Sequence, residues 1–159
     1  ISINSPALAN PHLINELVAA FGRDKIVVGI DSYYDKALDD YFVYTLTGDE
    51  ATTEKTAWRT LDWVAEVESR GAGEIVLNVM DTDGVKSGYS LDITGEIAEK
   101  VTIPVTASGG AGKKEHFLEV FQQTKANGAL AASVFHFGEI GIRELKQYLW
   151  ENGINVRSV

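Results

Sequence analysis

The run Lys25-Ile26-Val27-Val28-Gly29-Ile30 constrains this chain more than any other stretch: after its first residue it holds no polar side chain and shows no alternation. A strand with one face in water alternates polar and apolar residues. An unbroken apolar strand is therefore predicted to be buried on both faces of a parallel sheet covered by helices. The stretches 74–79, 103–107 and 128–132 read the same way, with Pro104 tolerable near a strand start, and 1–3 reads as the tail of a further strand. Helix-period segments lie between them: 11–21 closed by Gly22, 56–70 closed by Gly71, 91–100, 113–124 and 141–150. Strand and helix alternate, so the predicted class is α/β with a parallel sheet of four complete strands and part of a fifth. A flavodoxin-like open sheet and part of a barrel both accommodate this order. In either, the loops after the strand carboxyl ends hold the ligand.

The 159 residues are expected to form a single domain, interrupted by one long irregular insert at about 32–54. That insert carries Tyr33, Tyr34, Tyr41, Phe42 and Tyr44, with a short hairpin expected near 41–46; it is either functional or an aromatic mini-core. The formal net charge of −9, with 14 scattered Lys and Arg, argues against a nucleic-acid partner. The absence of cysteine removes disulfides, thiolate chemistry and Cys-based metal sites, and fits a cytoplasmic location. No apolar run reaches the length of a membrane span, and the first residues lack the basic and apolar regions of a signal peptide, so no membrane partner is expected. The chain opens on Ile1 rather than Met, at what reads as the end of a strand. A longer parent polypeptide is expected.

The polar clusters fall at predicted strand ends: Asn4-Ser5, Asp31-Ser32, 81–88, 108–112 and Ser133. Asp81 and Asp83 share a strand-to-helix loop with Lys86, Gly84 and Gly88, a plausible acid/base site, although Asp-x-Asp-Gly is also common turn chemistry. A calcium loop would continue with alternate oxygen ligands, where this chain has Val85 and Lys86, so no metal is expected there. Asp31 and Asp83, on neighbouring loops, are candidates to face one another across a cleft as general acid and base. Ser108-Gly109-Gly110-Ala111-Gly112 can present several backbone N–H groups beside a helix start, as a phosphate requires. The run is neither a P-loop nor Gly-x-Gly-x-x-Gly, and a tight turn is its alternative reading. Ser133 is placed to add its hydroxyl to the same phosphate. His12, His116 and His136 read as structural or surface residues.

Seven segments together resemble one family: Ile-Ser-Ile-Asn-Ser (1–5), Val-Val-Gly-Ile-Asp (27–31), Asp-Trp-Val-x-Glu-Val (62–67), Arg-Gly-Ala-Gly-Glu-Ile (70–75), Asp-x-Asp-Gly-Val-Lys-Ser-Gly-Tyr (81–89), Ala-Ser-Gly-Gly-Ala-Gly-Lys-x-Glu-His-Phe (107–117) and Gly-Ala-Leu-Ala-Ala-Ser-Val-Phe-His (128–136). They resemble the cyclase subunit of imidazole glycerol phosphate synthase, the HisF family of histidine biosynthesis. The likeness runs along the whole chain but covers only the C-terminal part, about half, of that family's (β/α)8 TIM barrel.

The resemblance implies a cyclase or lyase that uses ammonia, delivered by a glutaminase subunit. It converts a ribulosyl-formimino aminoimidazole carboxamide ribonucleotide into imidazole glycerol phosphate and aminoimidazole carboxamide ribonucleotide. By position, Asp83 and Asp31 match catalytic or active-site carboxylates. Gly109, Gly110 and Ser133 match one phosphate site, and Asn4 and Ser5 match part of another. Glu74 matches a charged gate on the face where the glutaminase docks. No cofactor is expected. The family's other catalytic aspartate lies on a first strand that this chain does not contain, so the chain alone is expected to be inactive and, with open strand edges, to self-associate. The alternatives are the sister phosphoribosyl isomerase of the same pathway and a non-catalytic phosphate-binding half-barrel.

Overall fold

In the computed structural model, which describes residues 1–157, five parallel strands alternate with helices in one sheet. β1 (Ser2–Ile3) pairs with the start of β2 (Val27–Asp35); β5 (Glu74–Val79), β6 (Val105–Ser108) and β7 (Gly128–Ala129) follow, all parallel. The hairpin expected near 41–46 is present, but as two antiparallel strands that extend the main sheet. β3 (Asp40–Thr45) pairs with the outer half of β2, and β4 (Glu54–Arg59) pairs with β3, giving the order β4-β3-β2-β5-β6-β7.

These two strands correct the reading of 32–54 as irregular. β2 continues through Asp35 and turns into β3, with Tyr34 opposite Tyr41 and their rings 5.1 Å apart. Only the 36–39 turn and about 46–53 lie outside the strands. The helix expected from Thr56 starts instead at Thr60, because Thr56 Oγ1 donates to the Val43 carbonyl (2.8 Å) and holds residues 54–59 in the sheet. β7 is also shorter than the apolar run that announced it. Glycine and alanines offer little side-chain contact to extend a ladder.

The parallel strands are buried on one face only, which corrects the expectation of burial on both. Val28, Ile30, Ile75, Leu77, Val79, Val105 and Ala107 are at most 1% exposed. All but Ala107, which lies in a second cluster, pack against α3 (Thr60–Ser69) and α4 (Leu91–Lys100) through Trp63, Val64, Val67, Ile93 and Ile97. The alternate residues Gly29, Glu74, Val76, Asn78, Thr106 and Ser108 are half-buried. That face is polar at several positions, and with Asp31 it carries most of the chemistry.

On the near side, α1 (Ser5–Ala9) and α2 (His12–Phe21) are split at Pro11, whose missing N–H suits a helix start, and Gly22 ends α2 at φ +87°. α5 (Lys114–Gln123), the four-residue α6 (Ser133–His136) and α7 (Ile142–Glu151) enclose a second apolar cluster around Phe117, Val120, Val134 and Leu149. Among the described residues no helix is long and apolar enough to cross a membrane.

Tyr89 sits in this second cluster, edge-on to Phe117 at 5.6 Å, and its hydroxyl donates to the Leu130 carbonyl at 3.0 Å. Burial pushes the hydroxyl well above the ordinary tyrosine range. The folded state therefore holds this proton more tightly than the unfolded chain does. The contribution is intact below about pH 10 and is lost as pH rises from there toward the folded value. Tyr89→Phe is expected to cost about 1 kcal/mol at pH 7.5 through the lost hydrogen bond, and to flatten the decline of stability between pH 9 and 11. Urea unfolding across that range checks this; parallel declines in the two proteins would contradict it.

Candidate functional site

Because β2, β5, β6 and β7 run parallel, their carboxyl ends open on one side. β2 brings Asp31 there, in register with Asn78 of β5, which is in turn in register with Ser108 of β6. The strand-to-helix segments 80–90, 109–113 and 130–132 follow on the same side.

Asp31 is 8% exposed, and three donors compensate its desolvation. Asn4 Nδ2 (2.7 Å) and Thr47 Oγ1 (2.6 Å) donate to Oδ2, and Asn78 Nδ2 (2.8 Å) donates to Oδ1. At the N-terminus of α1 the Asn4 side chain makes no capping bond and turns to the carboxylate instead. That orientation leaves Asn4 Oδ1 buried without a partner, so the carboxylate dictates which way the amide points.

Gly109 and Gly110 have φ of +90° and +104°. A Cβ at Gly109 would stand 2.6 Å from the Val79 carbonyl oxygen, and one at Gly110 would stand 2.0 Å from that of Gly88. Only glycine fits either position. The Gly88 N–H donates to the Gly110 carbonyl (2.8 Å) and Thr82 Oγ1 to that of Gly109 (3.2 Å), which locks the 81–88 loop onto the glycine turn. Between them lies a cavity of about 360 Å³ lined by Asn78, Asp83, Ser108, Gly109, Gly110 and Ser133, among others.

The predicted site residues therefore divide. Asp83, Gly109, Gly110 and Ser133 come together in this cavity, with Asp83 exposed at its wall. Asp31 does not bond to Asp83; Asn78 is the residue common to both, holding Asp31 and lining the cavity. Ser5 lies elsewhere, beside a mostly apolar depression formed with Pro6, Leu8, Ala9, Thr45, Leu46 and Thr56. Its Oγ accepts the Leu46 N–H at 3.0 Å. Glu74 sits at the amino end of β5, opposite the site, and accepts a hydrogen bond from Thr106 Oγ1 at 2.8 Å. Asp81 accepts the Tyr34 N–H (2.8 Å), tying the loop to the end of β2. His116 is buried, with Nδ1 accepting the Gly112 N–H (3.1 Å), and His12 is exposed beside Glu16.

Sequence reasoning missed Asn78 and Thr47. Asn78 was detectable: after Glu74 at its start, it is the one polar residue of the strand, and such a residue needs a partner. Thr47 lies in a stretch of polar and small residues and gave no signal.

The parallel strands pair in chain order, β1-β2-β5-β6-β7, and carry a carboxylate, an amide and a glycine cradle at their carboxyl ends, as part of an α/β barrel does. The family model described as histidine biosynthesis protein matches residues 1–141, and the chain belongs to that family. It is 59% identical to the imidazole glycerol phosphate synthase subunit HisF of Vibrio parahaemolyticus, 57% to that of Vibrio cholerae and 54% to that of Proteus mirabilis. Each likeness covers 99% of this chain and 61% of the relative, so the chain spans about three fifths of the length of the curated relatives it matches.

Proposed function

We propose that this chain supplies the carboxylate and glycine-cradle portion of a cyclase site in histidine biosynthesis, working within a complete (β/α)8 barrel. The observation that carries the reading is the Asn78 junction: one side chain joins the buried Asp31 carboxylate to the cavity that holds Asp83, Gly109, Gly110 and Ser133. In this reading one phosphate of the substrate sits on the glycine cradle and Ser133, and the other near Asn4 and Ser5. Its reacting centre lies between them, where Asp31 and Asp83 exchange protons as ammonia adds and the aminoimidazole carboxamide ribonucleotide departs. Ammonia enters from the opposite end of the strands, past Glu74, from a glutaminase partner docked on that face. The test is ammonia-dependent formation of imidazole glycerol phosphate by a complete barrel containing this segment.

The sister isomerase reading shares the Asp-Gly loop and the double glycine. The likeness to HisF subunits supports the cyclase instead. The third reading, a phosphate-binding half-barrel without turnover, describes this segment when it stands alone.

Alone, the segment is expected to self-associate. β1 and β7 are two residues long and have one partner each, so the parallel sheet has open edges, and Leu130 and Phe137 are 44% and 72% exposed near one of them. Sedimentation at about 100 μM is expected to show dimers or larger species; a single monomer boundary would contradict this.

A further inference from the structure

We propose that Thr47 is a positioning residue that selects which oxygen of Asp31 meets the substrate. The inference rests on the cyclase reading above.

A carboxylate offers about four lone-pair sites, two on each oxygen. On Asp31, Oδ2 is filled by Asn4 Nδ2 at 2.7 Å and Thr47 Oγ1 at 2.6 Å, whereas Oδ1 accepts only Asn78 Nδ2 at 2.8 Å. Oδ1 therefore keeps one open site. Its partner is also the one that lines the cavity with Asp83 and the glycine cradle, so the open site and the cavity share a side chain. Oδ2 is bonded instead to Asn4 and to Thr47 of the 46–53 loop. Thr47 thus completes the occupation of Oδ2 and leaves Oδ1 to take or return a proton.

The loop is built to hold Thr47 there. Leu46 has φ +56°, a left-handed conformation that a leucine adopts where its surroundings enforce it. Here its N–H donates to Ser5 Oγ at 3.0 Å and its carbonyl accepts Thr52 Oγ1 at 3.1 Å. The turn is closed further by the Thr52 and Thr53 N–H groups, both donating to the Asp49 carbonyl at 3.0 Å. Thr47 is the one residue of this loop whose side chain reaches Asp31. A tie that served only to fasten the hairpin would not need the site carboxylate as its anchor.

The experiment compares Thr47→Val and Thr47→Ser with the unsubstituted complete barrel in ammonia-dependent cyclase turnover, with thermal unfolding of each. Valine keeps the shape and removes the donor; serine restores the donor. The expected result is a roughly ten- to hundredfold fall in kcat for Thr47→Val with KM within about twofold, and recovery of most of the loss in Thr47→Ser. An unchanged kcat in Thr47→Val, whether or not Tm falls, would overturn the inference and leave the cyclase reading standing. So would a Thr47→Ser protein as impaired as Thr47→Val. An unsubstituted barrel with no turnover would overturn the cyclase reading, and this inference with it.

Discussion

Replacing Asp31 with asparagine in the complete barrel is expected to lower ammonia-dependent turnover by about 10²- to 10⁴-fold, the usual range for loss of a positioned acid/base group. The fold should survive. The introduced amide has one acceptor where the carboxylate served three donors, but its neighbours can reverse. The Thr47 hydroxyl can rotate to accept. Asn78 can flip its amide and present Oδ1, with the Ser108 hydroxyl, now 3.3 Å from that oxygen, turning to accept in its place. Asp83→Asn tests the second carboxylate in the same assay and is expected to fall in the same direction. Exposed at the cavity wall, its carboxylate has no hydrogen-bond network to rearrange among the described residues. Unchanged turnover in both variants would remove the carboxylates from the mechanism.

Gly110→Ala is expected to be the most damaging single methyl addition at the site. A Cβ there would stand 2.0 Å from the Gly88 carbonyl oxygen and 2.8 Å from its carbon, with φ at +104°. The obstacle is backbone, so no side chain can turn aside. Left-handed strain and overpacking each add roughly 1–3 kcal/mol, about 2–6 kcal/mol together, against a total stability of about 5–15 kcal/mol for a domain. Gly84→Ala is the control, because Gly84 has φ +74° with nothing within 4 Å of the added methyl. It carries the strain without the clash. Urea unfolding should place the Gly110→Ala midpoint well below that of Gly84→Ala; equal midpoints would show that the 81–88 loop yields to the glycine turn.

The contrast between these positions explains how far the sequence could be read. Strands such as 25–30 and 74–79 announce themselves because burial against helices demands apolar side chains in a row, and polar groups then collect where those strands end. Asp31, Asp83 and the double glycine were legible for that reason. The two-sided burial inferred from the same runs was not correct. Gly29 and Val76 are apolar for close packing on a half-buried face, and hydrophobicity does not say which face is covered. The alternation of 41–46 announced β3, but β4 was obscured because Thr56 and Trp58 suit an amphipathic helix as well as a strand. The deciding contact, Thr56 to the Val43 carbonyl, joins residues 13 apart. Long-range pairing of this kind also hid Thr47, which meets Asp31 across 16 residues, and the role of Asn78, which does so across 47.

In the proposed function these residues form part of a cyclase site that a further carboxylate elsewhere in the barrel completes. The most direct measurement is ammonia-dependent formation of imidazole glycerol phosphate, followed side by side in the complete barrel and in residues 1–159 alone. The expected result is turnover by the complete barrel and none by the segment. Full turnover by the segment, or none by the barrel, would contradict it.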